Sequence, residues 1–460
     1  MRTRYSAAQL LGHFRQLLPA GLLLRWLLAS PRVFYQRAFT PLITLWYLVF
    51  QRLGFNHHLS LVQADALAGG ADRLSPRGKP LSGRLHSEAT TAYSDARQRL
   101  PLELCRRVLA HFAAQLHQAL QVPRVGGLKI ALLDGSTCRL RPHGDIPRHF
   151  PAHRSGNSKK PPYWCLARVV GILCQATGAV LDSALASTQI SEQALCAQLL
   201  GQQSWAGWLL VADRNFGIYS VVRALAQAHA QALVRLTAAR ARKLARAAGR
   251  KLQPGLDTPV AWLPSARDQG APEDRLPVAG RLLAIRVAPP GFRPLTLFLF
   301  TTLQDPAQFP PPELARLYGH RWHIELCFRH IKAQMDLGFL DCRSAEMARK
   351  EWLAGLIAYN LIRWAMGAAA ALAQVPVQQL SFSRARELLG GWFARHAGRR
   401  TAAKAWQHLL QRIARARLPR RRLPRPAEPR AIRYFKKDVP QLVGSRADAR
   451  QHLAKTNAKS

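Results

Sequence analysis

The chain has 460 residues, 48% of them apolar, enough for two or three domains with at least one large core. Lys and Arg outnumber Asp and Glu by 67 to 25, a formal net charge of +42, which calls for a polyanionic partner, nucleic acid before anionic membrane. The seven cysteines form no C-x-x-C pair, which excludes a zinc ribbon or a disulfide scaffold and fits a reducing cytoplasm.

Residues 1–125 read as a helical N-terminal DNA-binding region. "AGLLLRWLLA" (20–29) and "PLITLWYLVF" (41–50) are about half the length of a membrane span and lack a signal-peptide pattern. Both are expected to be buried helices, and no membrane partner is expected. "TTAYSDARQRLPLELCRRVLAHFAAQL" (90–116) spaces Leu100, Leu104, Val108 and Phe112 for a helix. Between them Arg97, Arg99, Arg106 and Arg107 offer either phosphate contacts or a solvated basic face.

The pattern changes at "VGGLKIALLDGSTCRL" (125–140), a strand ending in Asp134 and followed by a glycine turn. "YWCLARVVGILCQ" (163–175) and "GAVLDSALAS" (178–187) suggest a hairpin, and Ser191 caps a helix over 191–202. "GWLLVADRNF" (207–216) is a further strand, ending in Asp213. This order describes an α/β protein with a mixed sheet flanked by helices. Residues 236–290, basic and then rich in Pro and Gly, read as an insertion with weak strands at 259–264 and 280–288. "PLTLFLFTTL" (294–303) should rejoin the main sheet. Two helices follow, the second over 346–373. From Arg395 to Lys437 there are 15 basic residues against one acid, Glu428; this basic C-terminal tail is expected to stay extended until it meets a phosphate backbone.

"YGHRWHIELCFRHIK" (318–332) keeps one acid among many bases. On a continuous helix Tyr318, Arg321, Glu325 and Lys332 share a stripe about 60° wide, beside an apolar stripe of Leu317, Ile324, Phe328, Ile331 and Met335. An acid between a phenol and two cations suits a metal-bound phosphodiester, since carboxylate oxygen takes Mg2+ while Arg and Lys hold phosphate. The competing role for Glu325 is an ion pair with Arg321 or Arg329. Two-metal phosphoryl chemistry needs about three carboxylates around ions roughly 3.5–4 Å apart, and Asp134 and Asp213, each closing an apolar strand, are the natural partners of Glu325.

"DGS" at Asp134, "ADRNF" around Asp213, and Tyr318, Arg321, Glu325 and Lys332 at their spacing resemble the DDE transposases of bacterial insertion sequences. They resemble in particular the subgroup with a Tyr-Arg-Glu-Lys signature, to which the Tn-five transposase belongs. Asn215 stands where many relatives have Gly, a departure expected to matter little.

The resemblance implies a ribonuclease H-like catalytic domain over 126–235 and 291–375, a mostly β insertion subdomain over 236–290, and a basic region over 376–460. It implies that Asp134, Asp213 and Glu325 bind two Mg2+ ions, with Mn2+ as a substitute, and that Tyr318, Arg321 and Lys332 hold DNA phosphates. Trp262 is the candidate to stack on a flipped base. The implied activity is binding of terminal inverted repeats, cleavage of element ends and joining of the 3′-OH to target DNA, by a homodimer acting at the nucleoid in the cytoplasm. The alternatives are a non-catalytic or degenerate DNA-binding protein and, more remotely, a metal hydrolase built on His320 and His323, for which no third ligand stands nearby.

Overall fold

The computed structural model describes residues 18–28, 38–54, 58–75, 79–152, 163–265, 268, 275–287, 295–396, 403–419, 445, 447–448 and 451. The N-terminal part is helical: α1 (Ala20–Leu28), α2 (Pro41–Leu53), α3 (Leu59–Leu67), α4 (Thr91–Arg99) and α5 (Leu102–Leu120). Thr40 caps α2 by accepting from the Ile43 N–H, and Pro41 starts it, where a missing N–H costs nothing. An apolar surface all round makes α2 a core helix, and it is buried almost throughout. The same expectation fails for α1, where only Leu23 is fully buried while Leu24 and Leu28 face solvent; charge at Arg25 and packing on one side only leave it at the surface.

The stretch over 90–116 is two helices rather than one, because Pro101 forces Leu100 into an extended conformation. Arg97 is not available to phosphate. It is buried and paired, with Arg52, to the carboxylate of Glu351. Arg107 pairs with Glu103 one turn away, and Arg106 donates to Gln202 at 3.0 Å.

The remaining elements, in chain order, are β1 (Lys129–Leu140), α6 (Ile146–His149), β2 (Cys165–Cys174), β3 (Val180–Ser187), α7 (Glu192–Leu200), β4 (Trp208–Ala212), α8 (Tyr219–Gln227), β5 (Gln231–Arg235), α9 (Ala238–Ala247), β6 (Asp257–Trp262), β7 (Val278–Val287), β8 (Leu295–Thr301), α10 (Pro311–Gly319), α11 (Trp322–Arg329), β9 (Phe339–Leu340), α12 (Ala345–Ala373), α13 (Phe382–His396) and α14 (Ala403–Arg415). They make a mixed α/β fold around one sheet of order β3-β2-β1-β4-β5-β8-β7-β6, with β9 added beside β1. The pairs β1–β4 and β4–β5 are parallel, and the rest of that path is antiparallel. The hairpin of β2 and β3 and the Ser191 cap of α7, whose hydroxyl accepts from Ala194 N–H at 3.0 Å, follow the sequence pattern.

Strands β6 and β7 do not form a separate layer. They continue the main sheet beyond β8, because β8 pairs with β5 on one edge and with β7 on the other. Helices α7, α8 and α9 cover one face of the sheet, and the N-terminal helices with α10 to α14 cover the other. The spine of the second layer is α12, long and apolar enough to cross a membrane by composition yet mostly buried inside the protein. Glu351, which draws Arg52 and Arg97 together, lies on it.

The basic C-terminal segment is not uniformly extended. Within it α14 buries Trp406, Leu409, Leu410, Ile413 and Ala414, an apolar stripe at helical spacing that packs on the core while its basic residues point outward. Residues 420–444 lie outside the described residues.

Candidate active site

Asp134 does not end its strand. Strand β1 runs on to Leu140, paired with β2 down to Leu140 opposite Cys165. Its parallel partner β4 stops earlier, with Ala212 opposite Leu133. Strand β9 resumes pairing only at Arg139. On that side residues 134–138 of β1 therefore have no strand neighbour, and Asp134 sits at the start of the gap. Asp213 comes directly after Ala212, so the two acids are next to each other at the carboxyl end of β4, the end of an open sheet where ligands bind. Asp134 is held by the Gly135 N–H at 2.8 Å, and Asp213 closes a turn by accepting from the Asn215 N–H at 2.8 Å.

Asn215 is a connected residue. Its side-chain amide donates to Glu192 at 2.5 Å and its side-chain oxygen accepts from Gln193 at 2.7 Å. Glu192 in turn lies so close to Gly135 that a Cβ there would meet the carboxyl carbon at 2.5 Å. The first turn of α7 thus steadies both acid-bearing segments.

The helix bearing Glu325 covers the gap, but it is not continuous. Helix α10 stops at Gly319, a turn closes from Arg321 N–H to Tyr318 C=O at 3.0 Å, and α11 begins at Trp322. After Arg329 the chain widens into a π turn over His330–Gln334, with Met335 N–H reaching His330 C=O, a feature common at functional sites. The straight stripe expected for Tyr318, Arg321, Glu325 and Lys332 is thus broken twice, yet three of these four side chains reach the gap or its acids.

Arg321 bridges Asp134 at 3.4 Å and Glu325 at 2.9 Å through different nitrogens, and its Nε is buried without a hydrogen-bond partner. Lys332 donates to the Ser136 hydroxyl at 3.1 Å. Tyr318 is buried, and its hydroxyl is hydrogen-bonded to Arg235 at the end of β5.

Burial pushes the Asp134 carboxyl up to about 6, helped by the negative neighbours Asp213 and Glu325 and opposed by the Gly135 N–H and Arg321. Burial also raises Tyr318. For Arg321, burial works against the charge, but Glu325, Tyr318 and Asp134 outweigh it and hold the guanidinium charged. His320 and His323, with ring centroids 5.4 Å apart, are both pushed down by burial and by neighbouring positive or imidazole groups. They lend the site no charge.

Trp262 stands elsewhere. It is 6% exposed and packs edge-on to Phe300 at 5.0 Å, in the core under α9, because alternate residues of β6 point inward. It cannot stack on a base from there. The exposed aromatic on this segment is Trp322, 63% exposed, with the Arg321 guanidinium 5.0 Å from its ring. Its place between Arg321 and Glu325 was visible in the sequence; that a helix begins there was not.

Among the described residues no group of three or more His, Cys, Asp or Glu is close enough to hold a metal ion. The three acids are in electrostatic range of one another, but Arg321 stands between Asp134 and Glu325 where a shared cation would.

The chain belongs to the transposase DDE domain family, which matches residues 126–361. It is 29% identical over 292 residues to the transposase InsG for insertion sequence element IS4 of Escherichia coli (strain K12), a match covering 62% of this chain and 63% of that one. The chain thus aligns with less than two thirds of that relative's length. A cryo-EM structure of a piggyBac transposase synaptic complex with hairpin DNA aligns over 94% of this chain and 88% of that chain, at 10% identity and a TM-score of 0.38, a likeness too slight to define the fold.

Proposed function

We propose that this protein is an insertion-sequence transposase of the Tyr-Arg-Glu-Lys subgroup, with a ribonuclease H-like catalytic domain over 126–235 and 291–375. In this reading it binds the terminal inverted repeats of its element, cuts the ends and joins the freed 3′-OH to target DNA. What supports the proposal is that Asp134 and Asp213 lie together at the carboxyl end of β4 with Glu325 in electrostatic range, Asp134 being raised chiefly by burial and further by the other two acids, in a chain of net charge +42. Carboxylates that repel one another in a partly dry cleft favour a cation between them.

The three side chains offer hard carboxylate oxygens of the kind Mg2+ or Mn2+ takes, although in this arrangement Arg321 rather than an ion joins Asp134 to Glu325. Asp134, Asp213 and Glu325 would hold two such ions, competing with Arg321 for the same oxygens. When bound, the ions would supply Lewis-acid charge at the scissile phosphate. The chain's own residues do the remaining work. Arg321, held between Asp134 and Glu325, keeps a positive charge in the cleft, and Lys332, at the Ser136 hydroxyl, adds positive charge along the β1 gap. Tyr318 is held neutral by burial and is fixed by Arg235, so it positions rather than reacts. Trp322 offers a stacking face.

Residues 1–125 and the basic region over 376–460 would grip DNA, the insertion over 236–290 would support the site from the sheet edge, and two copies would synapse a pair of ends at the nucleoid. The test is cleavage of DNA bearing the element's terminal repeat. Mg2+-dependent nicking by the wild type and none by Glu325→Gln supports the proposal. Repeat binding without nicking under any divalent cation would leave a degenerate DNA-binding protein.

A further inference from the structure

The spine α12 buries an arginine that has no acid. Arg363 is 5% exposed, and among the described residues the groups that favour its charge are Tyr359 and Cys327, neither of them a carboxylate. Its Nε donates to the Tyr359 hydroxyl at 2.7 Å, and its Nη2 lies 3.3 Å from both the Cys327 sulfur and His330 Nδ1. The guanidinium also stands 5.2 Å from the Tyr359 ring and 5.4 Å from the Phe382 ring. Hydrogen bonds and ring faces make such a charge tolerable, yet an apolar side chain of similar volume would fill the site with no charge to desolvate. A cation kept against that alternative points to a task other than stability.

Arg363 grips the point where α11 gives way to the π turn. Cys327 is in the last turn of α11 and His330 is the first residue of the π turn, three positions on and so on the same face. A guanidinium carries only donors, so His330 Nδ1 accepts. Burial, with Arg363 and Arg329, pushes that imidazole down to about 3 and keeps it neutral. The His330 ring lies flat on Phe382, the first residue of α13, 4.6 Å away and 8° from parallel. Arg363 is itself fixed to the sheet. Three residues before it, Asn360 exchanges two 2.8 Å hydrogen bonds with the backbone of Val180 on β3. A Cβ at Gly178, where φ is +69°, would stand 3.0 Å from the guanidinium carbon, so the turn between β2 and β3 closes on it.

On the reading of the β1 gap as part of a strand-cleaving cleft, we propose that Arg363 is a positioning residue: anchored on α12, it holds the π turn open and so keeps Lys332 at the gap. Such turns are rare. Relaxing this one into α-helix would shift the chain after it by one residue, about 100° of rotation. Lys332 would then swing away from Ser136, which it reaches at 3.1 Å. Arg363 is buried and touches no DNA; it acts through His330.

The experiment compares full-length wild type, Arg363→Met, Lys332→Met and the double variant on duplex DNA ending in the terminal repeat. Arg363→Met leaves no buried charge behind, so it should melt at or above the wild-type temperature. It should nonetheless slow cutting at saturating DNA by about 10-fold or more and take about one unit from the salt slope of DNA binding. The double variant should lose no more slope than Lys332→Met alone, the non-additivity of residues that act as one. His330→Phe keeps a ring on Phe382, removes only the acceptor and should lose the same unit of slope. The slope requires binding but no cutting, so it tests Arg363 even where the wild type leaves DNA intact, a result that would count against the strand-cleaving reading alone. The proposal is overturned if Arg363→Met melts below the wild type, keeps the wild-type slope, or matches an active wild type in cutting rate. It is overturned equally if the slope losses of Arg363→Met and Lys332→Met add, or if His330→Phe keeps the wild-type slope.

Discussion

Lys332 donates a hydrogen bond to Ser136 at 3.1 Å although 196 positions separate them in the chain. The contact exists because the π turn at His330–Gln334 re-aims Lys332 toward the unpaired edge of β1. Lys332→Met is therefore expected to weaken binding of terminal-repeat DNA and to reduce its salt dependence by about one unit of slope, with the melting temperature little changed. Unchanged affinity at every salt concentration would remove Lys332 from the DNA-holding set.

Asp134→Asn, Asp213→Asn and Glu325→Gln should each cut strand cleavage by more than about 100-fold, since even residues supporting a metal ligand are worth 10–100-fold. DNA binding should survive, and a chelator should reproduce the loss in the wild type. Cleavage that persists in any one variant would exclude that acid.

The Asp134 carboxyl, raised to about 6, binds its proton more tightly when folded than when unfolded. Its contribution favours the fold at low pH and is lost as pH rises between about 4 and 6. Asp134→Asn should thus stabilise the protein at pH 8 by up to on the order of 2–3 kcal/mol, while the two proteins converge below pH 4. Cleavage by the wild type should fall as pH drops through about 6. Denaturant melts at several pH values check the sign, and added Mg2+ should narrow the gap at pH 8 by favouring the ionised wild type.

Some of this was legible in the chain and some was not. Alternation and caps are local, so the β2–β3 hairpin and the Ser191 cap could be read directly, as could the Asp that ends β4. Whether β1 stops at Asp134 depends on β2, a partner more than twenty residues away in sequence, and no pattern within residues 125–140 carries that. The break between α10 and α11 lies in a run without proline. The charge count over 395–437 concealed α14, although Trp406, Leu409, Leu410 and Ile413 already had helical spacing.

Trp322→Ala and Trp262→Ala should separate cleanly. The first removes an exposed ring beside Arg321 and is expected to cost about 1–3 kcal/mol of DNA binding by lost stacking with the fold intact. The second empties a core position against Phe300 and should cost about 3–5 kcal/mol of stability. The reverse result would return Trp262 to the DNA surface.

Glu351 is held charged although burial alone would raise it, because Arg52 and Arg97 both face it. Glu351→Ala leaves two buried guanidinium groups uncompensated and should destabilise the fold by about 3–5 kcal/mol, measurable by chemical denaturation. Wild-type stability tied to this group should be lost as pH falls through its depressed value.

That same triad fastens α2 and α4 to the spine that backs the sheet. At this joint two elements from separate stretches of the N-terminal part share one buried carboxylate, so α2 and α4 are clamped to the spine through a single shared charge.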